Sequence, residues 1–528
     1  MKLSRPLRCL LAIASGFALA LSFPDYNLPL LAWCAIAMLI LASVGASVRE
    51  APLYGFLHGV VFYPTCLPWV VVVMREYGNV DPFDSVGIVL LIGIAGGIIL
   101  AIFSTCMAWL WRRRAIAPFL IAPFLWVTLE YARTHLPYIG FPWNLSGYAA
   151  SGNLAFLQLA PLTGIFGLSF VIAAFNSLLA WAVVTRHRKG WIALGATATA
   201  LILFALIGPH FVPAARAEHV AHLVQTNFPQ SEHYPDNWLD IHAGELDQLE
   251  AISVEAAHKE PGFVVWPEVP APFSMQDRKF KERAERIARE SGQYFLLGVV
   301  DWKIGRDRQM DASNSAVLLD PTGARTYTYD KIHLVPFGEY VPLRNWIKFA
   351  GRLTADISDF TPGTVYSVGQ LPGGRFGTFI CYEAIFPSEV ANFERDGAQL
   401  LINISNDGWF GRSAAPPQHL MMARVRAVEN RRWLLRDTNN GFTVVIDPYG
   451  RTVAQMATDV RGELDAPYDF RSDRTLYSLW GDWVAWLSLI ASVGLLGWGI
   501  TLKPSQTEQL SSAPKREAPK MKARRRSR

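Results

Sequence analysis

The chain has 528 residues, of which 51% are hydrophobic and 18% charged, with a formal net charge of +5. That is too apolar for one ordinary soluble domain, and the apolar residues are concentrated in the first 215 or so positions and once more near the end. The positive charge is local: 503–528 hold nine Lys or Arg against Glu508 and Glu517. A basic tail directly after an apolar run reads as an anchor beside anionic lipid rather than a nucleic-acid arm.

Taken in chain order, eight runs approach the ~20 apolar residues that cross a bilayer: 8–24, 28–47, 52–74, 86–111, 115–134, 154–184, 190–212 and 481–502. Pro64 and Pro68 predict a break in the third. Lys2, Arg5 and Arg8 before the first run resemble a secretory leader, but the second run follows at once, which predicts an uncleaved anchor. With the N-terminus in the cytoplasm, the basic segments around Arg8, Arg49, Arg112–Arg114, Arg186–Lys189 and the tail all fall inside. Seven crossings then leave 216–472 outside, and an eighth returns 503–528 to the cytoplasm. The expected organisation is a membrane domain over 1–215, an outer domain over 216–472, a last span over 480–502 and a disordered tail.

In the outer domain, β-rich runs at 219–225, 262–266, 294–300, 315–319, 326–329, 376–380, 400–404 and 443–446 alternate with amphipathic stretches at 239–257, 278–291 and 418–432. That alternation predicts an α/β layered domain. Three runs end on a reactive residue: Glu268, Lys331 and Cys381. Strand ends are where such domains open a pocket. Of five cysteines, only Cys381 lies in this domain, so it forms no disulfide there. A free thiol titrates near ~8.5 and needs a base or cation to act as a nucleophile. Glu268 could take its proton, and Lys331 could hold the charge that develops on an acyl oxygen. That set performs acyl transfer without metal or cofactor.

Val265-Trp266-Pro267-Glu268, the segment from Tyr329-Asp330-Lys331 through Pro336-Phe337-Gly338-Glu339-Tyr340, and Ile380-Cys381-Tyr382-Glu383 resemble the nitrilase superfamily in order and context. With Gly140-Phe141-Pro142-Trp143, the run Asn403 to Gly411, Gln418-His419-Leu420 and Thr438-Asn439-Asn440-Gly441, the chain is similar to the apolipoprotein N-acyltransferase family over nearly its whole length. The resemblance implies a nitrilase-like αββα sandwich beside about eight transmembrane helices, in a bacterial inner membrane with the catalytic domain periplasmic and both termini cytoplasmic. It implies that Cys381 takes an acyl chain from a phospholipid, phosphatidylethanolamine, as a thioester. The amine of a diacylated apolipoprotein cysteine then accepts it. Glu268 would be base and acid, Lys331 the oxyanion partner, Glu339 a second essential carboxylate, and Tyr382, Glu383, Trp409 and Tyr234 would line or support the site. Neither nucleic acid nor a second copy is implied, and the partners are membrane lipids and the acceptor. The chain departs from the family pattern at His233 and Tyr234, where Lys and Trp are usual, and at Asp437, where a small residue is commoner.

The amphipathic stretch 341–353, with Trp346 and Ile347 on its apolar face, reads as a membrane-facing lid. Two other readings stay open from sequence: a tethered amidohydrolase that uses water as acceptor, and a non-catalytic lipoprotein-binding or transport protein.

Overall fold

The computed structural model describes residues 3–78, 80–136, 140–231, 234–304, 310–340 and 360–502. The lid segment 341–353, His233 and the basic tail lie outside these.

Each of the eight expected runs contains helix, but among the described residues fewer than eight pass as membrane crossings. Four helices are long and apolar enough to cross a membrane: Pro82–Arg113, Ala160–Thr185, Arg188–Phe211 and Trp483–Thr501. Ala51–Cys66 and Trp69–Glu76 make a fifth if the pair, bent by 55°, is one span. The break falls between Pro64 and Pro68, where two prolines remove backbone donors. The others are shorter, Arg5–Ala20 with 16 residues and Ala32–Ser43 with 12, or carry charge, as Ala117–Thr134 does at Glu130 and Arg133. Large apolar side chains stay exposed on the long helices, among them Leu91, Ile98, Ile192, Leu206, Ile490 and Val493. Faces of this kind are stable against lipid rather than water.

The remaining chain builds two six-stranded sheets. The first runs β12-β1-β2-β3-β4-β5, from β1 (His219–Gln225), β2 (Phe263–Val265), β3 (Phe295–Ile304), β4 (Met310–Leu319), β5 (Arg325–Asp330) and β12 (Gly462–Tyr468). The second runs β11-β10-β9-β8-β7-β6, from β6 (Val368–Leu371), β7 (Gly374–Ile380), β8 (Leu400–Ser405), β9 (Leu434–Thr438), β10 (Val444–Ile446) and β11 (Thr452–Gln455). In the first sheet β1, β2 and β3 are parallel, and β5 shares their direction through antiparallel β4. In the second, β7, β8 and β9 are parallel.

Leu223, Val265, Leu296 and Tyr329 of the first sheet share a core with Ile380, Ile402, Leu435 and Val445 of the second. The opposite face of the first sheet packs Val264, Leu297 and Val317 onto Leu246, Leu249, Phe280 and Ile287. These come from helices Ala243–Lys259 and Arg278–Ser291. Helices Pro387–Arg395 and Ala415–Asn430 cover the second sheet. The domain is therefore an αββα sandwich. Tyr382, Ile385, Phe386, Met422, Val425 and Val428 of its outer layer join the core of the apolar helices, so no solvent layer separates the two regions there.

Candidate active site

The strands β2, β5, β7 and β8 all deliver their C-terminal ends to one edge of the sandwich. Glu268 follows β2, Lys331 follows β5, Cys381 follows β7 and Asn406 follows β8. Gly298 of β3 lets the turn at Glu268 close down. A Cβ there would lie 2.5 Å from the Pro267 carbonyl oxygen and 2.7 Å from Glu268 Cα.

Lys331 is buried and its Nζ donates to Glu268 Oε1 at 3.0 Å and to Glu339 Oε1 at 2.9 Å. Asn314 Nδ2 donates to the same two oxygens, at 2.8 Å each. Backbone N–H groups hold the far oxygens, Asn406 on Glu268 Oε2 at 2.9 Å and Val335 on Glu339 Oε2 at 2.8 Å. Both carboxylates are thus oriented by three donors each. Burial alone would lower the Lys331 ammonium, but Glu268 and Glu339 hold it well above the ordinary lysine range. It is a fixed cation.

Cys381 opens a one-turn 3-10 segment, Cys381–Ile385, with φ of +48°. That left-handed backbone is costly for a residue with a Cβ, and it turns the side chain out of the strand line at the sheet edge. The thiol interacts electrostatically with both Glu268 and Lys331 and hydrogen-bonds Ser405. Burial pushes it up and the Glu268 charge pushes it further, against the pull of Lys331 and Ser405. At neutral pH the sulfur is a thiol, so the site calls for a base at the moment of attack rather than a standing thiolate. Sequence reasoning had left both options open.

Glu383 ties the Cys381 turn to the Lys331 turn. Its Oε1 accepts from the Tyr329 hydroxyl at 2.7 Å, Ile332 N at 2.8 Å and His333 N at 3.2 Å. Its Oε2 accepts from Ile380 N at 2.6 Å. Burial pushes this carboxyl up to about 7, against the pull of Ile380 N–H and the Tyr329 hydroxyl.

Glu268, Lys331, Cys381 and Glu339 are therefore brought together, with Glu383 behind them. Tyr382 is buried against His333 and Phe386. Trp409 sits on Tyr77 at the C-terminal end of the bent helical pair, ring centroids 5.3 Å apart. Tyr234 packs edge-on to Trp238 and reaches the site only through Gln230, which accepts from Asn406 Nδ2 at 2.7 Å. Asp437 is buried in β9 and its burial raises it well above the carboxylate range.

Asn314 and Arg436 were not singled out from sequence, and Asn406, Asp407 and His419 entered only as members of motifs, with no role assigned. Asn314 had a signal: Ser313-Asn314-Ser315 is a polar triplet inside an otherwise apolar run. Among the described residues, His222, Glu463 and Asp465 bring three possible metal-ligand atoms within 4.8 Å of one another on the β1–β12 ladder, and they are not part of this site.

Comparison with known proteins adds the family. The profile described as "Apolipoprotein N-acyltransferase N-terminal domain" matches residues 15–178, and that described as "Carbon-nitrogen hydrolase" matches 229–470. The protein named apolipoprotein N-acyltransferase in Geobacter metallireducens is 35% identical over 90% of this chain and 92% of its own. Its namesake in Methylococcus capsulatus is 33% identical over 90% and 93%. A crystal structure of an amidase from Nesterenkonia sp. matches 49% of this chain and 95% of its own at 21% identity and a TM-score of 0.36. The extent of identity with the two curated relatives, on top of both profile matches, is decisive: the chain belongs to the apolipoprotein N-acyltransferase family.

Proposed function

We propose that this protein transfers an acyl chain from a phospholipid to the N-terminal amine of an S-diacylglyceryl-cysteine apolipoprotein, through a thioester on Cys381. The observation that carries the reading is the buried cation Lys331, held between Glu268 and Glu339 beside a thiol on a strained turn. In the first half, Glu268 takes the Cys381 proton as Sγ attacks the ester carbonyl carbon. Lys331 stabilises the oxyanion. Collapse breaks the acyl C–O bond, Glu268 returns the proton to the departing lysophospholipid oxygen, and the thioester remains. In the second half the acceptor amine attacks the thioester carbonyl, Glu268 takes the ammonium proton, the C–S bond breaks and the proton returns to sulfur. The ledger of protons closes without metal or cofactor.

Phosphatidylethanolamine is the proposed donor. The proposed setting is eight membrane crossings in a bacterial inner membrane, with the sandwich on the periplasmic side, both termini cytoplasmic and the chain acting as a monomer. The charge pattern of the short segments and the exposed apolar helix faces support this arrangement. The domain division at 215, 472 and 502 and the supporting roles of Tyr382, Glu383, Trp409 and Tyr234 are proposed with it.

The test is intact-mass analysis of the purified full chain after mixing with phosphatidylethanolamine. One acyl increment on the protein is expected, absent in Cys381→Ala, and discharged by a diacylated lipopeptide amine. Transfer that survives in Cys381→Ala would refute the mechanism. Discharge by water as fast as by the amine would favour the amidohydrolase.

A further inference from the structure

Helix Ala415–Asn430 begins with two side chains that point to different partners. Gln418 accepts from Trp143 Nε1 at 2.7 Å and donates to the carbonyls of Pro24 and Cys66, all from the apolar helical region. His419 donates from Nε2 to the carbonyl oxygen of Cys381 at 3.0 Å. A carbonyl can only accept, so Nε2 carries the proton. Nδ1 lies 3.2 Å from Arg436 NH2, which can only donate, and 3.3 Å from Asp407 Oδ1, which can only accept, so in the neutral ring Nδ1 accepts from Arg436. Arg436 is held in turn by both oxygens of Asp407, at 2.9 and 2.8 Å, and by Asn403. The Nε2–H is thus committed to the Cys381 carbonyl, and Nδ1 sits against partners that are themselves buried: His419 and Arg436 are 0% exposed and Asp407 is 2% exposed. Burial and the Arg436 charge push His419 below its ordinary titration range against the upward pull of Asp407, which keeps the ring neutral. Its faces are walled by Trp143 and Phe410, each with ring centroids 5.9 Å away.

The residue that receives this bond is the one with the strained backbone. In a trans peptide the C=O and the following N–H point in opposite directions. Fixing the Cys381 oxygen therefore also fixes where the Tyr382 N–H points and where the Cys381 side chain leaves the backbone. We infer that His419 is a positioning residue for the nucleophile: its Nε2–H holds the Cys381 carbonyl, and so the Cys381 thiol and the Tyr382 N–H, in the geometry that acyl transfer needs. It takes no proton in the reaction. Arg436, held by Asp407, faces its Nδ1, and Gln418 beside it ties the same helical turn to the membrane helices. The inference rests on Cys381 being the acylated residue.

The test compares His419→Leu with His419→Gln in the full-length protein in detergent, with phosphatidylethanolamine in mixed micelles as the donor. A glutamine amide can put an N–H where Nε2 stands, and leucine cannot. Acylation of Cys381 in a single turnover should slow about 100-fold in His419→Leu with the half-saturating donor concentration within about twofold, the cost typical of a misplaced reacting group. His419→Gln should recover at least about tenfold of that loss. A leucine variant at the wild-type rate, or a glutamine variant no faster than leucine, overturns the role. Iodoacetamide alkylation reads the same elbow without any acyl donor. Cys381 is only 6% exposed, so release of its turn should speed alkylation in His419→Leu and glutamine should reverse it. Equal alkylation of all three proteins also overturns the role. Wild-type protein that never carries an acyl group on Cys381 would instead sink the transfer reading, and alkylation would still decide the strut.

Discussion

Replacing Glu383 by glutamine separates the two things this carboxylate does, because its effect on stability should depend on pH and its effect on rate should not. In the fold the carboxyl lies near 7 instead of 4.5, which corresponds to about 3 kcal/mol less favourable ionisation than in the unfolded chain. The folded value is raised, so the native state keeps the proton between pH 4.5 and 7 while the unfolded chain loses it. Stability from this group is full below 4.5, declines with rising pH and levels off above 7. Glutamine removes that decline. It also removes an acceptor: with its oxygen facing Tyr329, Ile332 and His333, its NH2 opposes the Ile380 N–H, an unsatisfied pair costing about 1–3 kcal/mol. Glu383→Gln should therefore be less stable than wild type at pH 4.5 and about equal at pH 8. Thermal unfolding in detergent followed by tryptophan fluorescence across that range gives the comparison. The rate should still fall about 100-fold at every pH, because the tie between the lysine turn and the cysteine turn is loosened. Parallel Tm–pH curves for the two proteins would refute the raised carboxyl, and an undiminished single-turnover rate would refute the tie.

Asn314→Leu removes two charge-assisted bonds to Glu268 and Glu339. Thermal unfolding should show a loss of about 3 kcal/mol, and single-turnover acylation should fall at least tenfold. Gly298→Ala places a Cβ against Pro267 and Glu268. Acylation should drop while circular dichroism of the sandwich stays unchanged, since the displaced backbone carries Glu268 rather than the core. Glu429→Leu leaves Arg426 and the Ile165 N–H without their buried acceptor, which costs about 3–5 kcal/mol. Glu429→Gln keeps the acceptor for Ile165 and should lose less, as read by Tm in the same detergent.

The parts of this fold that were legible in the sequence are those whose stability is local. Helix 278–291 starts at an Asp277 cap and ends at a left-handed Gly292, and its pattern of Phe280, Ala284, Ile287 and Ala288 faces one way. Strand β1 was equally plain, as an apolar run between turns. What hid the rest was buried polarity. The first half of β4 reads as a loop because Asp311, Ser313 and Asn314 are polar, yet Asn314 is buried for the sake of the two carboxylates it bridges. β9 was missed for a similar reason: Arg436 and Asp437 look like surface residues, and both are fully buried, Arg436 on Asp407. Helix Pro387–Arg395 is short, and its two glutamates and arginine obscure Val390, Ala391 and Phe393. For the site, the strand ends and the lone cysteine brought out Glu268, Lys331 and Cys381, and family context added Glu339. Asn314 and His419 act on residues tens of positions away, through contacts that only a folded chain creates.

The seat of the sandwich on the apolar helices follows from one helix having two buried faces. Ala423 and Ala427 of helix Ala415–Asn430 face the second sheet, and Met422, Val425 and Val428 face the helical bundle. Small residues let the helix lie close to its own strands, and larger ones fill the gap to the other region. At the far end of this helix Glu429 Oε1 accepts from Ile165 N at 2.8 Å, where Gly164, with φ of +64°, breaks the long apolar helix and frees that donor. At its near end Gln418 and His419 reach the bundle and the nucleophile from adjacent positions. The bent pair Ala51–Cys66 and Trp69–Glu76 supplies the remaining wall, since Trp69 meets Phe410 and the Tyr77 hydroxyl donates to the Gly408 carbonyl at 2.7 Å. The 55° bend is what carries Trp69 and Tyr77 to the segment after β8. The apolar helices are thus a wall of the reaction site as well as its anchor.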